Sequence, residues 1–333
     1  METLSALFVL LRPRLVPFLL LLPLFGWAWA HWDRALMLQG GTDILWVLAA
    51  WVSLHAGTMW LNAALDRDEG EVLMGAAVPP PPATVPAAYV ALVLCVPLAS
   101  VAGAGPAIAA AFCAVLAVGY SHPAVAWKGR PLAGPLVNLL GYGLASPYAG
   151  WAVVGVPGNP RTWVCWALFA VGILSPYLAA QAFQRGEDAE RGYRTFVVQY
   201  GPARTLQASR LAMMVVLLGG VGLAAIGWIP RVCLVALPLW MWIDRLMAAW
   251  QQQPDGGDSG WAARYAGRVL AAVGVLIGLC LGEYLRESLE REPVAGLGTP
   301  AGHPADRPRL PPLQLRIWEH RHGIIAPGAG SGE

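Results

Sequence analysis

Long apolar runs separated by short polar connections make up most of the chain. A helix needs about 20 mostly apolar residues to cross the roughly 30 Å hydrocarbon core of a bilayer. Nine segments approach this length, at residues 14–31, 43–65, 84–103, 106–121, 132–153, 162–183, 208–228, 231–250 and 265–285. The pattern therefore predicts an all-α, polytopic membrane helix bundle of about nine transmembrane helices around a central cavity.

The composition agrees with a membrane protein. Hydrophobic residues make up 57% of the 333 residues and charged residues 13%, and the mean hydropathy is +0.53. Soluble proteins carry about 25% charged residues, so a soluble enzyme is disfavoured. The net charge is only +2 and the basic residues are spread over short connections, which gives no indication of nucleic-acid binding.

The distribution of lysine and arginine over the connections predicts the orientation. With a cytoplasmic N-terminus, thirteen basic residues of the bundle lie inside: Arg12, Arg14, Arg67, Lys128, Arg130, Arg185, Arg191, Arg194, Arg204, Arg210, Arg245, Arg264 and Arg268. The three outside are Arg34, Arg161 and Arg231. We therefore expect an integral, multi-pass protein with its N-terminus in the cytoplasm, in the plasma (inner) membrane of a prokaryote.

Both the beginning and the end of the chain need a separate interpretation. Residues 28–30 resemble a signal-peptide cleavage site, but we expect an uncleaved first helix because eight further spans follow. Residues 292–333 contain seven Pro and seven Gly, a composition that cannot bury enough apolar surface to offset its backbone entropy. We predict a transmembrane domain at 1–291 and a disordered Pro/Gly-rich tail at 292–333.

The five cysteines are Cys95, Cys113, Cys165, Cys233 and Cys280. Each lies inside an apolar run, with no CxxC pair and no histidine at the spacing of metal ligands. We expect buried thiols in helices and no disulfide scaffold.

Polar side chains form a stripe on each of two predicted helices. The members are His55, Asn62, Asp66 and Glu69 on the second span and Tyr177, Gln181, Gln184 and Asp188 on the sixth. Within each stripe the offsets are near whole turns of a 3.6-residue helix. The chain crosses the membrane four times from one acidic end to the other, which puts both ends on one side of the membrane. Two such ends facing one cavity are able to hold Mg²⁺, which takes few carboxylates and adds water and phosphate oxygens. The alternative is that they are ordinary helix ends with solvated charges.

A basic segment lies between the two stripes, after the fourth span. It contains Tyr120, Lys128 and Arg130, and Lys128 is the only lysine of the chain. A lysine and an arginine neutralise phosphate oxygens as a point charge and as a bidentate fork. The segment therefore suggests a phosphate-binding loop, although alone it would be an ordinary cytoplasmic connection.

The order of these pieces resembles that of the UbiA-type intramembrane prenyltransferases. The matching stretches are residues 62–70, 120–131 and 184–201, together with Asn138 and Gly141 in the fifth span. The resemblance covers about residues 10–285. It implies a membrane prenyltransferase-like enzyme that transfers an isoprenyl group from an isoprenyl diphosphate to a lipid-soluble acceptor, aromatic or other, with Mg²⁺ as cofactor.

The resemblance also implies roles for individual residues. It makes Asp66 and Asp188 the catalytic aspartates and suggests a Mg²⁺ site of Asp66, Glu69, Glu187 and Asp188. The implied substrate-binding set is Asn62, Tyr120, Lys128, Arg130, Asn138, Gln184, Arg191 and Arg194. No nucleic acid is expected as a partner, and the membrane lipid surrounds the domain.

Two other function classes remain open. Ala63, Gly70 and Gln184 stand where the family pattern has aspartates, which favours a non-catalytic isoprenoid- or lipid-binding membrane protein derived from the same fold. A transporter would favour inverted repeats and helices interrupted near the midplane, whereas here the polar groups cluster at one end of the spans. Asp244 and Arg245 in the eighth span are expected to form an internal ion pair.

Overall fold

The computed structural model of the chain describes residues 2–32, 41–66 and 78–291. Within these ranges the secondary structure is helical and contains no strand. Eight helices of the described chain are long and apolar enough to cross a membrane. The all-α, polytopic bundle predicted from the sequence is confirmed, while the tail predicted at 292–333 lies outside the described residues.

Thirteen α-helices are formed within the described ranges. The first seven are α1 (Glu2–Leu10), α2 (Val16–His31), α3 (Asp43–Asp66), α4 (Thr84–Val101), α5 (Ala104–Ser121), α6 (Ala133–Asn138) and α7 (Ser146–Val154). The next six are α8 (Pro160–Gln181), α9 (Arg185–Glu190), α10 (Phe196–Tyr200), α11 (Pro202–Ala225), α12 (Ala236–Trp250) and α13 (Ser259–Arg291). Short 3₁₀ turns lie at Pro13–Leu15, Trp127–Gly129, Arg231–Val235 and Pro254–Gly256.

The fifth predicted span is a helix that changes its winding in the middle. α6 is followed directly by a π-helical segment, Leu139–Ala145, and then by α7. At the junction, the backbone N–H and the hydroxyl of Ser146 both donate to the carbonyl of Gly141, the hydroxyl at 2.8 Å. Pro147 follows and has no N–H to continue the ladder. Such π-bulges are frequent at functional sites, and this one lines the central cavity.

α2 and α7 pack with their backbones in direct contact. A Cβ added to Gly26 would overlap the carbonyl of Pro147, and one added to Gly150 would overlap the carbonyl of Pro23. Small residues permit this approach, from which membrane helices gain dispersion energy. The contact closes the half of the bundle whose core contains Trp51 and other buried residues of α3, α4 and α5.

The other half of the bundle is built from α8, α11, α12 and α13. Here the arginine of α11, Arg210, forms a bidentate ion pair with Asp244 of α12, through Nε–Oδ1 at 2.7 Å and Nη2–Oδ2 at 2.8 Å. The expectation that Asp244 pairs with Arg245 is therefore wrong. Consecutive helical residues point about 100° apart, and Arg245 is directed outward and exposed.

Three long helices end side by side and thereby define one end of the bundle. α3 ends at Asp66, α5 at Ser121 and α8 at Gln181. The hydroxyl of Ser121 donates to Asn62 Oδ1 at 3.3 Å, which joins α5 to α3. The segments that follow α5 and α8 meet above this end, where the N–H of Arg194 donates to the carbonyl of Gly129 at 2.8 Å.

Candidate functional site

A cavity of about 300 Å³ lies between α3, α5, the π-helical segment and α8. Its wall brings together eight of the residues that the sequence singled out. They are Asn62, Asp66, Tyr120, Lys128, Asn138, Gln184, Asp188 and Arg191. Their proposed functions stay predictions, but their common location follows from the fold.

Three other candidates do not reach the cavity wall. Arg130 is exposed, and the exposed Arg194 donates from Nη2 to Gln199 Oε1 at 2.9 Å. Glu187 forms an ion pair at 2.5 Å with Arg191, one turn further along. It does not line the cavity as its neighbour Asp188 does, because consecutive positions of a helix point about 100° apart. The last candidate, Glu69, lies outside the described residues.

The centre of the polar end is a buried ion pair between Lys128 and Asp66. Lys128 Nζ donates to Asp66 Oδ1 and, at 3.1 Å, to Asn62 Oδ1. Both charged side chains are only 7% exposed. A second donor to Asp66 Oδ1 is the hydroxyl of Tyr193, at 3.4 Å. The only lysine of the chain thus neutralises the aspartate that ends α3.

Two close contacts turn Lys128 inward. The ring of Trp127 lies directly on Gly119 of α5, where a Cβ would overlap it. The ring of Tyr193 covers Gly129 in the same way, with its Cδ1 2.8 Å from an added Cβ. The loop is therefore fixed on both sides of Lys128, which explains how a long, flexible side chain keeps one position.

Asp188 is held at the second acidic helix end. The hydroxyl of Thr195 donates to Asp188 Oδ2 at 2.8 Å, while Oδ1 accepts no hydrogen bond from any described residue. Burial raises the pKa of the Asp188 carboxyl above its ordinary value, against the opposing effects of this hydrogen bond and of the Arg191 charge. A cation beside Asp188 Oδ1 would relieve the unfavourable burial of its negative charge.

Tyrosines and a glutamine form a second polar group on the wall. Gln181 Nε2 donates to the hydroxyl of Tyr177 at 2.7 Å, and Tyr120 lines the same wall of the cavity. Gly134 permits this arrangement, because a Cβ there would overlap the Tyr177 hydroxyl. Gln181 Oε1 is buried without a hydrogen-bond partner among the described residues. An unsatisfied buried acceptor costs about 1–3 kcal/mol, which a ligand or water would offset.

His55 supplies a polar group on a deeper part of the wall. It precedes Asp66 by eleven positions, which is about 16 Å along α3. Its Nε2 donates to the carbonyl of Leu11 at 2.9 Å, since a carbonyl only accepts. The lone pair of a neutral imidazole is then on Nδ1, which is buried without a partner among the described residues.

The sequence pattern indicates no role for some of the lining residues. His55, Tyr177 and Gln181 were recognised as members of the polar stripes, and Thr195 lies in the third matching stretch. Tyr193 gave no signal of its own. Its position depends on the turn at Gly192, where φ is +73°, and on the approach of the loop that carries Lys128.

The donor set of the cavity fits Mg²⁺ held jointly with a ligand. Within residues 2–32, 41–66 and 78–291, no three His, Cys, Asp or Glu side chains come together as a metal site. Mg²⁺ does not need such a cage, because it usually binds one or two carboxylates together with water and substrate phosphates. Asp66 and Asp188 would provide the carboxylates, and Asp188 Oδ1 accepts no hydrogen bond from the described residues.

A family comparison agrees with the motifs described above. The model of the UbiA prenyltransferase family matches residues 19–267. The matched segment includes every cavity residue named above. A search of curated proteins gives no match.

Solved structures with the same fold include UbiA homologues from Archaeoglobus fulgidus. The homologue bound to GPP and Mg²⁺ has a TM-score of 0.61 and 17% identity, covering 81% of this chain and 99% of its own. The form bound to DMAPP and Mg²⁺ has a TM-score of 0.59 and 16% identity, with the same coverage. A structure described for digeranylgeranylglyceryl phosphate synthase has a TM-score of 0.57 and 12% identity, covering 86% of this chain and 100% of its own. At these identities the likeness shows the fold.

Proposed function

This chain belongs to the UbiA prenyltransferase family, and we propose that it transfers an isoprenyl group from an isoprenyl diphosphate to a lipid-soluble acceptor. One observation carries the proposal. The only lysine and the two motif aspartates, Asp66 and Asp188, line the same end of one cavity, and apolar side chains continue the wall inward. An amphiphile with an anionic head and a hydrocarbon tail fits a cavity that is polar at one end and apolar further in.

The polar end is suited to a diphosphate head. Lys128 supplies a positive charge, and Arg191 supplies a second on the same wall. The Tyr120 side chain lies on the same wall, and a phenolic hydroxyl is able to donate a hydrogen bond to a phosphate oxygen. A. fulgidus homologues bind GPP or DMAPP together with Mg²⁺, which supports the same class of donor here.

Mg²⁺ would be held by Asp66 and Asp188 together with phosphate oxygens of the donor. When bound, it would neutralise the negative charge that develops on the diphosphate as it departs. Asp188 favours this because burial disfavours its charge in the absence of a cation. Glu69 remains a candidate ligand, whereas Glu187 would first have to leave its ion pair with Arg191.

The reaction begins with heterolysis of the bond between the allylic carbon and the diphosphate oxygen. The leaving diphosphate takes the electron pair, and Lys128, Arg191 and the Tyr120 hydroxyl stabilise its charge. Such fixed donors in a water-poor site are commonly worth about 3–4 kcal/mol each in barrier height. The acceptor then attacks the allylic cation and releases one proton.

The inner wall favours a hydrocarbon chain and one hydrogen-bond donor. Leu19, Leu54, Leu116 and Val137 contribute apolar surface. His55 adds a buried Nδ1 without a partner among the described residues. We infer that this part of the cavity takes the prenyl chain and that a hydroxyl- or N–H-bearing acceptor bonds to His55.

The proposed setting is the plasma (inner) membrane of a prokaryote, with the polar end of the cavity open to the cytoplasm. The thirteen-to-three distribution of basic residues supports this orientation. A water-soluble diphosphate would enter from that side, and the acceptor would enter from the lipid. Maleimide labelling of intact cells at a cysteine introduced at Asp258 should therefore require permeabilisation.

Donor binding tests the proposal directly. The purified chain in detergent is dialysed to equilibrium against labelled geranyl, farnesyl or geranylgeranyl diphosphate, in Mg²⁺ or in EDTA. We expect Mg²⁺-dependent binding that Asp188→Asn weakens at least tenfold. The control is Asp255→Asn, because Asp255 lies near the same end but its side chain is 94% exposed. Equal binding by the two variants, or binding unaffected by EDTA, would refute the proposed site.

A non-catalytic isoprenoid-binding protein is the second candidate. Its specific support is the Lys128–Asp66 pair, which satisfies the first motif without a metal, together with Ala63 and Gln184 in place of motif aspartates. That protein would bind isoprenoids equally well in Mg²⁺ and EDTA and would release no diphosphate. Binding and turnover measured on the same preparation therefore separate the two functions.

A further inference from the structure

Two cysteine side chains lie in contact at the end of the bundle opposite to the Asp66–Asp188 end. Cys233 Sγ is 3.6 Å from Cys280 Sγ. Cys233 belongs to the 3₁₀ turn that leads into α12, and Cys280 belongs to α13. Their residues are half-buried, whereas Cys95, Cys113 and Cys165 are buried. The expectation of five buried thiols is therefore wrong for this pair.

The location of the pair follows from the course of α11 and α13. α11 begins directly after Gly201, near the acidic end, and its 24 residues extend about 36 Å before the turn with Cys233. α13 also begins at the Asp66–Asp188 end. Just before it, Gly256 packs so closely on the residue after α8 that an added Cβ would overlap the carbonyl of Ala182. Cys280 lies about 32 Å further along α13. Both thiols therefore lie at the far face.

A second contact between the same two segments lies next to the two sulfurs. The N–H of Val232, next to Cys233, is 3.4 Å from Oε2 of Glu283. Glu283 is one turn beyond Cys280 on α13, so it lies on the same side of the helix. Tyr284, one position further, is buried and its ring lies 5.7 Å from that of Trp32 after α2. The thiol pair thus lies beside the place where the last span meets the first.

We propose that Cys233 and Cys280 are a redox-active dithiol that closes to a disulfide bond and fastens α13 to the turn before α12. Forming the bond requires the sulfurs to approach by about 1.5 Å from their present separation, which side-chain rotation can supply. In the proposed orientation this face is extracytoplasmic, where disulfides form and persist. The inference rests on the two thiols and is independent of the prenyl-transfer proposal.

The oxidant is a disulfide-bearing partner, either a thiol–disulfide oxidoreductase or a small organic disulfide. One cysteine thiolate attacks the partner disulfide, forms a mixed disulfide and releases the first partner thiol. The other cysteine thiolate then attacks the mixed disulfide and releases the second partner thiol. The pair loses two electrons and two protons, and the partner disulfide becomes two thiols.

The bond would act on the least anchored span. α13 has the smallest buried share among the eight membrane-spanning helices of the described chain. At the acidic end it is held by Tyr265, whose hydroxyl is 2.6 Å from that of Ser175. A covalent link at Cys280 would fix its other end, and it would close a loop of 47 residues, which restricts the unfolded chain.

The test oxidises the purified full-length chain with dipyridyl disulfide, a small apolar disulfide that reaches thiols inside a detergent micelle. Remaining thiols are then alkylated in denaturant, and peptides are mapped by mass spectrometry without reduction. We expect a peptide linked through Cys233 and Cys280, and three alkylatable cysteines in place of five. Cys165→Ser is the control, because it should keep the link, whereas Cys233→Ser should leave Cys280 as a mixed disulfide.

Two results would overturn the inference. One is recovery of Cys233 and Cys280 as separate mixed disulfides or free thiols in the oxidised wild-type chain, which requires no variant to fold. The other is a link from Cys280 to Cys165 instead. A melting experiment adds a structural readout: the oxidised wild type should melt a few degrees higher than its reduced form. An unchanged melting temperature would contradict the proposed fastening of α13.

Discussion

The buried Lys128–Asp66 pair allows a stability test that does not depend on activity. Lys128→Met keeps a long side chain but removes the positive charge that neutralises Asp66. Both partners are only 7% exposed, so the remaining carboxylate would keep its negative charge in a water-poor position. Removing one member of a buried pair costs about 3–5 kcal/mol. At roughly 2 °C per kcal/mol for a domain of this size, the melting temperature should fall by about 6–10 °C.

The two members of the pair are not equivalent. Asp66→Asn leaves the ammonium with the amide oxygen of Asn62, already 3.1 Å away, and with the new amide oxygen at position 66. Asp66→Asn should therefore lower the melting temperature less than Lys128→Met does. Replacing both at once removes both charges, which is often neutral for a buried pair. The double variant should recover most of the stability lost by Lys128→Met alone.

A double-mutant cycle measures this coupling. The four proteins are melted in the same detergent, in EDTA, and followed by the monomer peak in size-exclusion chromatography after heating. The reasoning is refuted if Lys128→Met melts within about 2 °C of the wild type. It is refuted equally if the double variant is no more stable than the single lysine variant, since the cost would then not come from an uncompensated charge.

Three further predictions concern packing, acidity and the tail. Gly150→Ala should lower the free energy of unfolding by about 2–3 kcal/mol, since its Cβ would overlap the α2 backbone, whereas Gly222→Ala, which meets nothing within 4 Å, should be neutral or slightly stabilising in the same melting assay. Because the folded pKa of Asp188 is raised, the wild type in EDTA should gain stability relative to Asp188→Asn as the pH falls through that raised pKa; melting curves that stay parallel from neutral pH down to the ordinary aspartate pKa of about 3.9 would contradict this. Deleting residues 292–333 should leave expression and melting temperature unchanged, and a large loss of either would show that the tail stabilises the bundle.

Much of the fold could be predicted because hydrocarbon imposes one requirement on every span. Each crossing segment must satisfy its own backbone hydrogen bonds, so length and apolarity identify α3 or α8 within a few residues. Helix geometry and the number of membrane crossings likewise explain why Asp66 and Asp188 lie at the same end of the bundle. Residues near whole helical turns share a face, and an even number of membrane crossings between the two helix ends returns the chain to the same side of the membrane.

The sequence predicted less of what depends on turns and close approach. At the π-helical segment the N–H and the hydroxyl of Ser146 both donate to the Gly141 carbonyl, and Pro147 has no N–H to donate. These features give no periodic signal in the sequence. The pairing of Asp244 with Arg210 depends on how α11 and α12 are rotated. Arg130 remains exposed although its neighbour two positions earlier is buried, because contacts of Trp127 and Tyr193 turn only Lys128 inward.

Release of diphosphate from a labelled isoprenyl diphosphate tests the central claim most directly. The purified chain is incubated with geranyl diphosphate and a lipid extract that supplies the acceptor, in Mg²⁺ or in EDTA, and released diphosphate and prenylated lipid are quantified together. We expect Mg²⁺-dependent release matched by prenylated product, with losses of about 10²–10³ in rate for Asp66→Asn and Asp188→Asn and none for Asp255→Asn. Release by the wild type that is no faster than by the Asp66→Asn/Asp188→Asn double variant would contradict it.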